Sequence, residues 1–472
     1  MLAMTVVQRG VGFFRGIWFC RLLDDAVVGQ WSMAYDFIVM VTPIMLLGIP
    51  GSLPRYAEHF RHRGHLPALV LRLFTVTAIL GGLFFTLLLC FPEQFGWFVF
   101  LDPQSTSLVV CIGVTMLATV AFNSVYQLVS SLRQVRVGSV MQFAQSVGFT
   151  LLSLAWLYMG GGVAGLILAF GLATLLAMTP GLFTLSVGWK GLPPAESPMD
   201  AASMWRRLLP YAAALWTMNL LMNIFMLSDR YMILHLLPAG GLDGQSAVGQ
   251  YHSSRIIPLL FMSVATMLAG VLLPYLTADW EAGRKDAVRQ SMRRMLFGVS
   301  IMLTLGAAAS LWVAPWFFQE VLDNRYSAGL RLMPMAFVFA IWYSLLTVGQ
   351  NYLWIAERGK LVAISIAIGL CVNVTLNLFL LPMWGLFGAV FATMVAHLAV
   401  LMCLWQAMKR HGYPLDESTF FVTVLPATLL AGPWISVVCI GVVCLFSTDA
   451  RRWIRDGFDW LVGKVSGKTV VG

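Results

Sequence analysis

The stretch Val28-Gly29-Gln30-Trp31 occurs a second time, 220 residues later in the chain (248 − 28), as Val248-Gly249-Gln250-Tyr251. A second pair of short matches, Leu53-Pro54 and Leu273-Pro274, has the same offset of 220 residues (273 − 53). Farther along, Gly162, Gly165 and Ala169 recur as Gly385, Gly388 and Ala392, at an offset of 223 residues (385 − 162). Three matches in the same order at nearly one offset indicate an internal duplication of the chain.

The composition places both copies in a membrane. The 472 residues are 59% hydrophobic and 11% charged, whereas soluble domains carry about 25% charged residues. Uncharged runs, each close to the roughly 20 residues that cross a bilayer core, alternate with short loops. We therefore predict about twelve membrane-spanning helices and one further hydrophobic run. The predicted runs begin near Met1, Val28, Ala68, Leu108, Val137, Val163, Leu208, Ile256, Met295, Leu330, Leu361, Gly385 and Phe421.

The seven cysteines and the net charge of +9 need no special partner. The cysteines lie in or at the ends of apolar runs, so no disulfide framework, metal site or cofactor is predicted. The positive charge lies in the even-numbered loops, which makes it a topology signal and not a nucleic-acid surface. Because positive loops stay cytoplasmic, the N-terminus and the even loops are predicted to be inside. Their basic residues are Arg55, Arg61, Arg63, Arg133, Arg136, Lys190, Arg206, Arg207, Arg284, Lys285, Arg289, Arg293, Arg294, Arg358, Lys360, Lys409 and Arg410.

The duplication and the loop charges together predict the architecture. Both copies begin on the same side of the membrane, which is typical of parallel repeats related by an axis along the membrane normal. We predict an all-α polytopic membrane protein with two six-helix bundles related by pseudo-two-fold symmetry around a central cavity. The predicted parts are an N-terminal lobe at 1–189, a cytoplasmic linker at 190–207, a C-terminal lobe at 208–410, and an extra hydrophobic helix with a basic amphipathic tail at 411–472.

The last hydrophobic run, from Phe421 to Phe446, leaves two topologies open. If it spans the membrane, the tail emerges outside; if it re-enters, the tail stays inside. The tail carries Arg451, Arg452 and Arg455, and it places Ile454, Phe458, Leu461 and Val465 at helical spacing, which suits an interfacial amphipathic helix.

Three arginines lie where a membrane helix should be uncharged. Arg9 and Arg15 are six residues apart in the first predicted helix, so they share one broad face. Arg255 opens the eighth helix. A mid-membrane arginine costs about 2.5 to 3.5 kcal/mol on insertion scales and normally faces a bundle interior or water. We predict that Arg9 and Arg15 line a cationic cavity for a phosphorylated ligand, with snorkelling or ion-paired arginines as the alternative. Arg255 is predicted either to line the same cavity, or to cap its helix or snorkel to the outer interface.

Three more charged residues are predicted to serve coupling or pairing between the lobes. Asp36 in the second helix is a candidate proton or cation site, or a satisfied packing residue. Asp229 lies opposite Arg9 in the repeat (229 − 220), which allows a cross-lobe pair. The neighbouring Arg230 needs a different partner, because adjacent helical residues do not face each other.

A resemblance to a known family rests on three stretches. The first is Asn373 to Thr393, which includes Asn377, Pro382, Gly385 and Gly388; the others run from Arg21 to Trp31 and from Asp229 to Tyr251. They resemble polysaccharide flippases of the multidrug/oligosaccharidyl-lipid/polysaccharide exporter superfamily. The resemblance implies alternating access and transport of undecaprenyl-diphosphate-linked oligosaccharides from the inner to the outer leaflet of a bacterial cytoplasmic membrane. It implies no enzymatic activity, and a polysaccharide polymerase or glycosyltransferases as possible partners.

The first helix is also similar to that of lipid II flippases, through Arg9, Arg15 and the nearby Arg21. In that family the matching arginines are thought to contact the diphosphate, and Arg255 resembles a cavity arginine of its eighth helix. Two departures favour a surface-polysaccharide precursor over lipid II: Gly16 stands where that family has an acidic residue, and the stretch from Phe37 to Leu47 has no basic residue.

Other functions stay open at this point. A lipid II flippase and a multidrug cation antiporter of the same fold are the alternatives within the superfamily. A membrane glycosyltransferase would use an acidic pair such as Asp24-Asp25, but the outer loops are short. No GxxxxGK[ST] motif is present, which argues against self-contained ATP use. Because the first predicted helix begins at Met1, a translation start upstream of it is one interpretation of the chain's beginning.

Overall fold

Helices make up every regular element that the structure, a computed structural model, describes at residues 2–189, 200–237, 243–323 and 326–446. They are α1 Leu2–Leu22, α2 Asp25–Leu46, α3 Leu53–His62, α4 Leu66–Cys90, α5 Pro92–Phe100, α6 Thr106–Ser131, α7 Val135–Tyr158, α8 Val163–Leu176, α9 Thr179–Trp189, α10 Ala201–Leu236, α11 Gly244–Glu281, α12 Lys285–Trp316, α13 Ser327–Ile355, α14 Gly359–Trp384, α15 Leu386–Arg410, α16 Glu417–Val424 and α17 Pro433–Phe446. Short 3-10 helices cover Pro50–Ser52 and Leu425–Ala431, and a π turn covers Phe317–Val321.

Ten segments in the described ranges are long and apolar enough to cross a membrane. They are α4, α6, α7, the α8–α9 segment Val163–Trp189, and α10 to α15. The helices α1 and α2 have 21 and 22 residues, which is also enough to span. They are less apolar because they carry the charged residues Arg9, Arg15 and Asp36. The predicted all-helical polytopic membrane fold is confirmed.

Contacts divide the chain into two compact units, residues 1–252 and 253–472. The first unit contains α1 to α10 and the beginning of α11. The helix α10 begins at Asp200, whose side chain accepts hydrogen bonds from the backbone N–H groups of Ala202 and Ser203, both at 3.1 Å. The predicted lobes at 1–189 and 208–410 stay predictions.

Two clusters hold the first unit together. An aromatic cluster joins α1, α2, α7 and α8: the ring centroids of Trp31 and Phe149 lie 5.2 Å apart, as do those of Phe149 and Phe170. An aliphatic cluster joins α3, α4, α6 and α10, and includes Leu53, Leu69, Leu128 and Leu208. Because Leu208 is fully buried there, the start of α10 is part of the first unit's core.

The helix α13 runs through the centre of the second unit, and almost all of its middle residues are buried. It packs against α12, α14 and α15. The Trp342 Nε1 group of α13 donates a hydrogen bond to the Thr423 backbone oxygen at 2.8 Å, and Trp405 Nε1 of α15 donates to Thr423 Oγ1 at 3.1 Å. Two indole donors therefore hold α16 against the centre of this unit.

The predicted extra hydrophobic helix is not one helix. The run divides into α16, the 3-10 helix and α17. The helical conformation is interrupted at Gly432, whose φ of +124° favours glycine. Near its start, Asp416 forms an ion pair with Arg293 at 2.7 Å. Farther along, the Trp434 ring centroid lies 4.6 Å from that of Trp312. The run therefore follows α12 from Arg293 to Trp312. The predicted amphipathic tail lies outside the described residues.

Candidate functional site

The repeated Val-Gly-Gln motif marks a close helix crossing within the first unit. A Cβ atom added at Gly29 would lie 1.9 Å from the Gln245 carbonyl oxygen, and one added at Gly249 would lie 2.0 Å from the Asp25 carbonyl oxygen. Real Cβ atoms do not approach backbone oxygens so closely, so both positions require glycine. The beginnings of α2 and α11 therefore cross with their backbones in direct contact.

The glutamine of each motif makes a hydrogen bond across this crossing. Gln30 Nε2 donates to Gln245 Oε1, and Gln250 Nε2 donates to Asp25 Oδ2 at 3.2 Å. The duplicated sequence thus produces duplicated contacts, which gives the motif a structural role in this unit.

Asp36 and Arg230 come together, although 194 residues separate them in the chain. Arg230 Nη1 donates to Asp36 Oδ2, and the two side chains are 8% and 3% exposed, respectively. The neighbouring Asp229 accepts a hydrogen bond from the Tyr251 hydroxyl at 2.9 Å. Arg9 has no ion pair with any residue in the described ranges, so the Asp229–Arg9 pair that the repeat allowed is not formed in this structure.

Arg15 lies against α7 and contacts only neutral groups there. Its Nη1 donates to the Ser146 backbone oxygen at 3.4 Å and to Thr150 Oγ1 at 3.3 Å. Its guanidinium carbon lies 4.4 Å from the centroid of the Phe149 ring, a cation–π geometry. Within the described part of the chain, no carboxylate pairs with Arg15, so its charge is available to an anion.

Arg255 is buried in the second unit. Its guanidinium carbon lies 5.2 Å from the centroid of the Phe339 ring, and 3% of the residue is exposed. The convergence of Arg255 with Arg9 and Arg15 on one cavity stays a prediction.

The first unit contains a cavity of about 370 Å³ that sequence reasoning missed. Its walls come from α2, α6, α7, α8 and α10, and none of its lining residues is charged. Five of them are carboxamides: Asn123, Gln127, Gln145, Asn219 and Asn223. The spacing gave a signal, since Asn123 and Gln127, and likewise Asn219 and Asn223, are four residues apart in apolar helices and so share a face.

Four of these five carboxamides make no hydrogen bond to the part of the protein that the structure describes. Gln145 Nε2 donates to Thr174 Oγ1 at 2.9 Å. The other four, on α6 and α10, make no hydrogen bond to the described residues. Trp216 Nε1 also borders the cavity and is buried without an acceptor in the described part of the protein. The cavity therefore offers unpaired donors and acceptors without offering a charge.

Arg15 and the cavity are neighbours. The Arg15 guanidinium lies over the Phe149 ring, and the centroid of this ring is 5.2 Å from that of Phe170, which lines the cavity. No three His, Cys, Asp or Glu side chains in the described ranges are grouped to hold a metal ion. The first unit thus places positive charge next to a neutral, hydrogen-bonding chamber.

Comparison with known proteins shows the family of this chain. The family model described as "Polysaccharide biosynthesis protein" matches residues 1–279, more than half of the chain. The chain belongs to this polysaccharide biosynthesis protein family. The membership confirms the predicted superfamily and covers α1 to α10 and nearly all of α11.

Named relatives of this family member are flippases. The lipid II flippase MurJ of Bacillus subtilis is 25% identical over 306 residues, which cover 59% of this chain and 56% of MurJ. The match thus spans little more than half the length of that relative. The probable flippase AglR of Haloferax volcanii is 21% identical over 406 residues, which cover 84% of this chain and 79% of AglR.

A solved structure shows the same fold. The inward closed conformation of the lipid II flippase MurJ superimposes with a TM-score of 0.70 over 98% of this chain and 99% of that one, at 11% sequence identity. At this identity the likeness shows the fold alone. Together with the ten apolar helices, it makes this family member a multi-pass membrane protein with the superfamily's fold.

Proposed function

We propose that this protein is a flippase that moves an undecaprenyl-diphosphate-linked oligosaccharide across the bacterial cytoplasmic membrane for surface polysaccharide biosynthesis. The lipid-linked sugar enters from the cytoplasmic leaflet and leaves to the outer leaflet by alternating access. The N-terminus and the basic loops lie on the cytoplasmic side. The expected partners are a polysaccharide polymerase and glycosyltransferases.

The observation that carries this proposal is the uncompensated charge of Arg15. This guanidinium is held by a backbone oxygen, a hydroxyl and an aromatic ring, and by no carboxylate of the described residues. A permanent cation in a membrane protein favours an anionic ligand, and a planar guanidinium matches phosphate oxygens. Each charge-assisted hydrogen bond to a diphosphate contributes about 1.5 to 3 kcal/mol, which offsets part of the anion's desolvation.

We propose that Arg9 and Arg255 also bind the diphosphate. Arg9 is exposed on α1, the helix that also carries Arg15. Arg255 contributes a buried cation from α11. Asp36 and Arg230 compensate each other, so we propose that they hold α2 to α10 and leave phosphate binding to the other cations.

Two other functions are weighed against this proposal. A multidrug antiporter needs a counter-charge for its cationic substrate, and the cavity of the first unit has no carboxylate in its lining. A lipid II flippase is the closer alternative, because the sequence match to the Bacillus flippase supports it. The absence of a basic residue in α2 after Asp36 favours a lipid-linked sugar other than lipid II.

Vesicles that contain the purified full chain test the proposal. A fluorescent undecaprenyl-diphosphate oligosaccharide is incorporated in both leaflets, and its exposure to an impermeant quencher is followed over time. We expect protein-dependent transfer, strong loss of transfer for Arg15→Ala, and partial recovery for Arg15→Lys. Arg284→Ala is the matched control, because Arg284 is an exposed arginine that pairs with Asp279.

The result that would overturn the proposal is equal transfer by the wild type and Arg15→Ala. Lipid II offered in the same vesicles decides between the two flippase functions, since preferential transfer of lipid II would favour the peptidoglycan precursor. An organic cation that accumulates against its gradient, without lipid transfer, would instead favour the multidrug antiporter.

A further inference from the structure

We infer that the cavity of the first unit is a subsite for an uncharged sugar ring, separate from the diphosphate site and next to it. This inference rests on the proposed function, because the sugar is the part of that substrate that follows the diphosphate.

The first argument is the hydrogen-bonding chemistry of the walls. Each carboxamide carries two N–H donors and an acceptor oxygen with two lone pairs. Asn123 and Gln127 present such groups from α6, and Asn219 and Asn223 present them from α10, without protein partners in the described ranges. A sugar hydroxyl both donates and accepts, so it can satisfy either side of a carboxamide.

The second argument is the aromatic part of the lining. Tyr35, Phe170 and Trp216 border the cavity from α2, α8 and α10. Aromatic faces pack against the C–H face of a pyranose ring, while hydroxyl groups point to the polar walls. Trp216 adds a buried Nε1 donor that has no acceptor among the described residues. The cavity thus offers aromatic rings to the C–H face of a sugar ring and polar groups to its hydroxyls.

The third argument is charge. None of the residues that line the cavity is Asp, Glu, Lys or Arg. A sugar carboxylate would meet no counter-ion in the lining, because the neighbouring Arg15 is proposed to hold the diphosphate, and burying an unpaired charge is strongly unfavourable. The cavity therefore favours a neutral hexose or N-acetylhexosamine over a hexuronate.

The fourth argument is size and position. A volume of about 370 Å³ is at the lower end of small-molecule sites, which are roughly 300 to 1,000 Å³. It suits one or two sugar rings and not a long branched chain. Arg15 packs on the Phe149 ring, and this ring lies 5.2 Å from that of Phe170, which lines the cavity. A diphosphate at Arg15 can therefore continue into a sugar in the cavity.

Binding to the full chain in lipid nanodiscs tests the inference with three probes. They are undecaprenyl diphosphate, the same lipid with one neutral hexose, and the same lipid with one hexuronate. For the wild type we expect the hexose lipid to bind at least tenfold more tightly than the bare lipid, and the hexuronate lipid to gain less. The double variant Asn219→Leu/Asn223→Leu keeps the number and branching of the side-chain heavy atoms but loses the hydrogen bonds. Since each lost bond weakens binding roughly fivefold, it should abolish the preference for hexose without changing the affinity for the bare lipid.

Controls separate the subsite from a general loss of structure. Thr217→Val lies on the same helix, does not line the cavity, and should leave all three affinities unchanged. Arg15→Ala should weaken all three lipids by a similar factor. If the α10 double variant does not fold, Gln127→Leu on α6 provides the same comparison.

Two results would overturn the inference. One is equal affinity of the wild type for the bare and the hexose lipid; the other is an equal loss for both lipids in the double variant. Equal affinities together with normal lipid transfer in vesicles would reject the sugar subsite and keep the flippase. A hexose preference that depends on Asn219 and Asn223, without any lipid transfer, would reject the flippase and keep the subsite.

Discussion

Asp36 of α2 and Arg230 of α10 form an ion pair in which only 3% and 8% of the side-chain surfaces are exposed. The pair joins helices that the sequence separates by 194 residues. Its burial makes the two charges dependent on each other, because neither can be solvated by water.

Replacing Asp36 by asparagine should therefore destabilise the protein strongly. The substitution leaves Arg230 buried without its counter-charge, and breaking a buried pair in this way costs about 3 to 5 kcal/mol in free energy of unfolding. Thermal unfolding of the detergent-solubilised protein measures the loss. Glu58→Gln is the control, because Glu58 pairs with Arg61 on an exposed surface, where such pairs contribute little. The double variant Asp36→Leu/Arg230→Met should recover much of the stability. A loss for Asp36→Asn no larger than that for Glu58→Gln would contradict the expectation.

Replacing Gly249 by alanine should open the crossing of α2 and α11. The new Cβ atom would lie 2.0 Å from the Asp25 carbonyl oxygen, so the backbones must separate. Overpacking of this kind costs about 1 to 3 kcal/mol. Gly270→Ala in the same helix meets no atom within 4 Å and should be neutral or slightly stabilising, since alanine is the better helix former. Unfolding temperatures of the two variants give the comparison, and equal values would refute the close crossing.

The beginning of α10 should lose protection at low pH. Hydrogen bonds from the Ser203 and Ala202 backbone N–H groups lower the pKa of Asp200 below its ordinary value of 3.8. A lowered pKa means that the cap stabilises the helix fully above this ordinary pKa, and that the stabilisation is lost as the pH falls through the lower pKa of the folded protein. Hydrogen exchange at Ala202 and Ser203, corrected for intrinsic rates, should show this loss. Asp200→Asn retains a capping oxygen without a titrating group, so its protection should not change across that range; identical pH profiles would contradict the assignment.

The helix α17 should return toward the cytoplasmic side. Trp434 lies beside Trp312, only four residues before α12 ends at Trp316. Yet α17 packs along α12 and buries Ser436, Ile440 and Val443 on one face. A helix of 14 residues is about 21 Å long, so it cannot stay on α12 unless it runs backward from the break at Gly432.

Cysteine labelling measures that topology. In a background with the seven native cysteines replaced, a cysteine at Leu445 should react with an impermeant maleimide only after the cells are permeabilised. A cysteine in the loop at Gln104, which the loop charges place outside, is the positive control for external labelling. Labelling of the Leu445 position in intact cells would show that the run spans.

The sequence reveals those features of this fold that local composition determines. Hydropathy locates the spans, and the paired Val-Gly-Gln motifs are visible because the crossing of α2 and α11 needs a glycine from each helix. The Asp36–Arg230 pair is not visible, because no local pattern links residues so far apart. The interruption at Gly432 is not visible either, since hydropathy contains no information on the backbone angles of a single residue.

The polar cavity was missed for a related reason. A search for charges in the membrane selects Arg9, Arg15 and Asp36, but carboxamides such as Asn123 and Asn219 carry no charge. Their meaning depends on which helices face one another, and that is a property of the tertiary structure.

The neutral lining of this cavity also bears on how such a protein can diversify. Exchanges among Asn, Gln, Ser and Thr at positions such as Gln127 and Asn223 alter hydrogen-bonding geometry without adding the roughly 2.5 to 3.5 kcal/mol that a new charge costs during translocon-mediated insertion. Such exchanges can therefore change ligand recognition without impairing membrane insertion. Under the proposed sugar subsite, natural variants can acquire new glycan preferences by single substitutions without a new charge in the membrane.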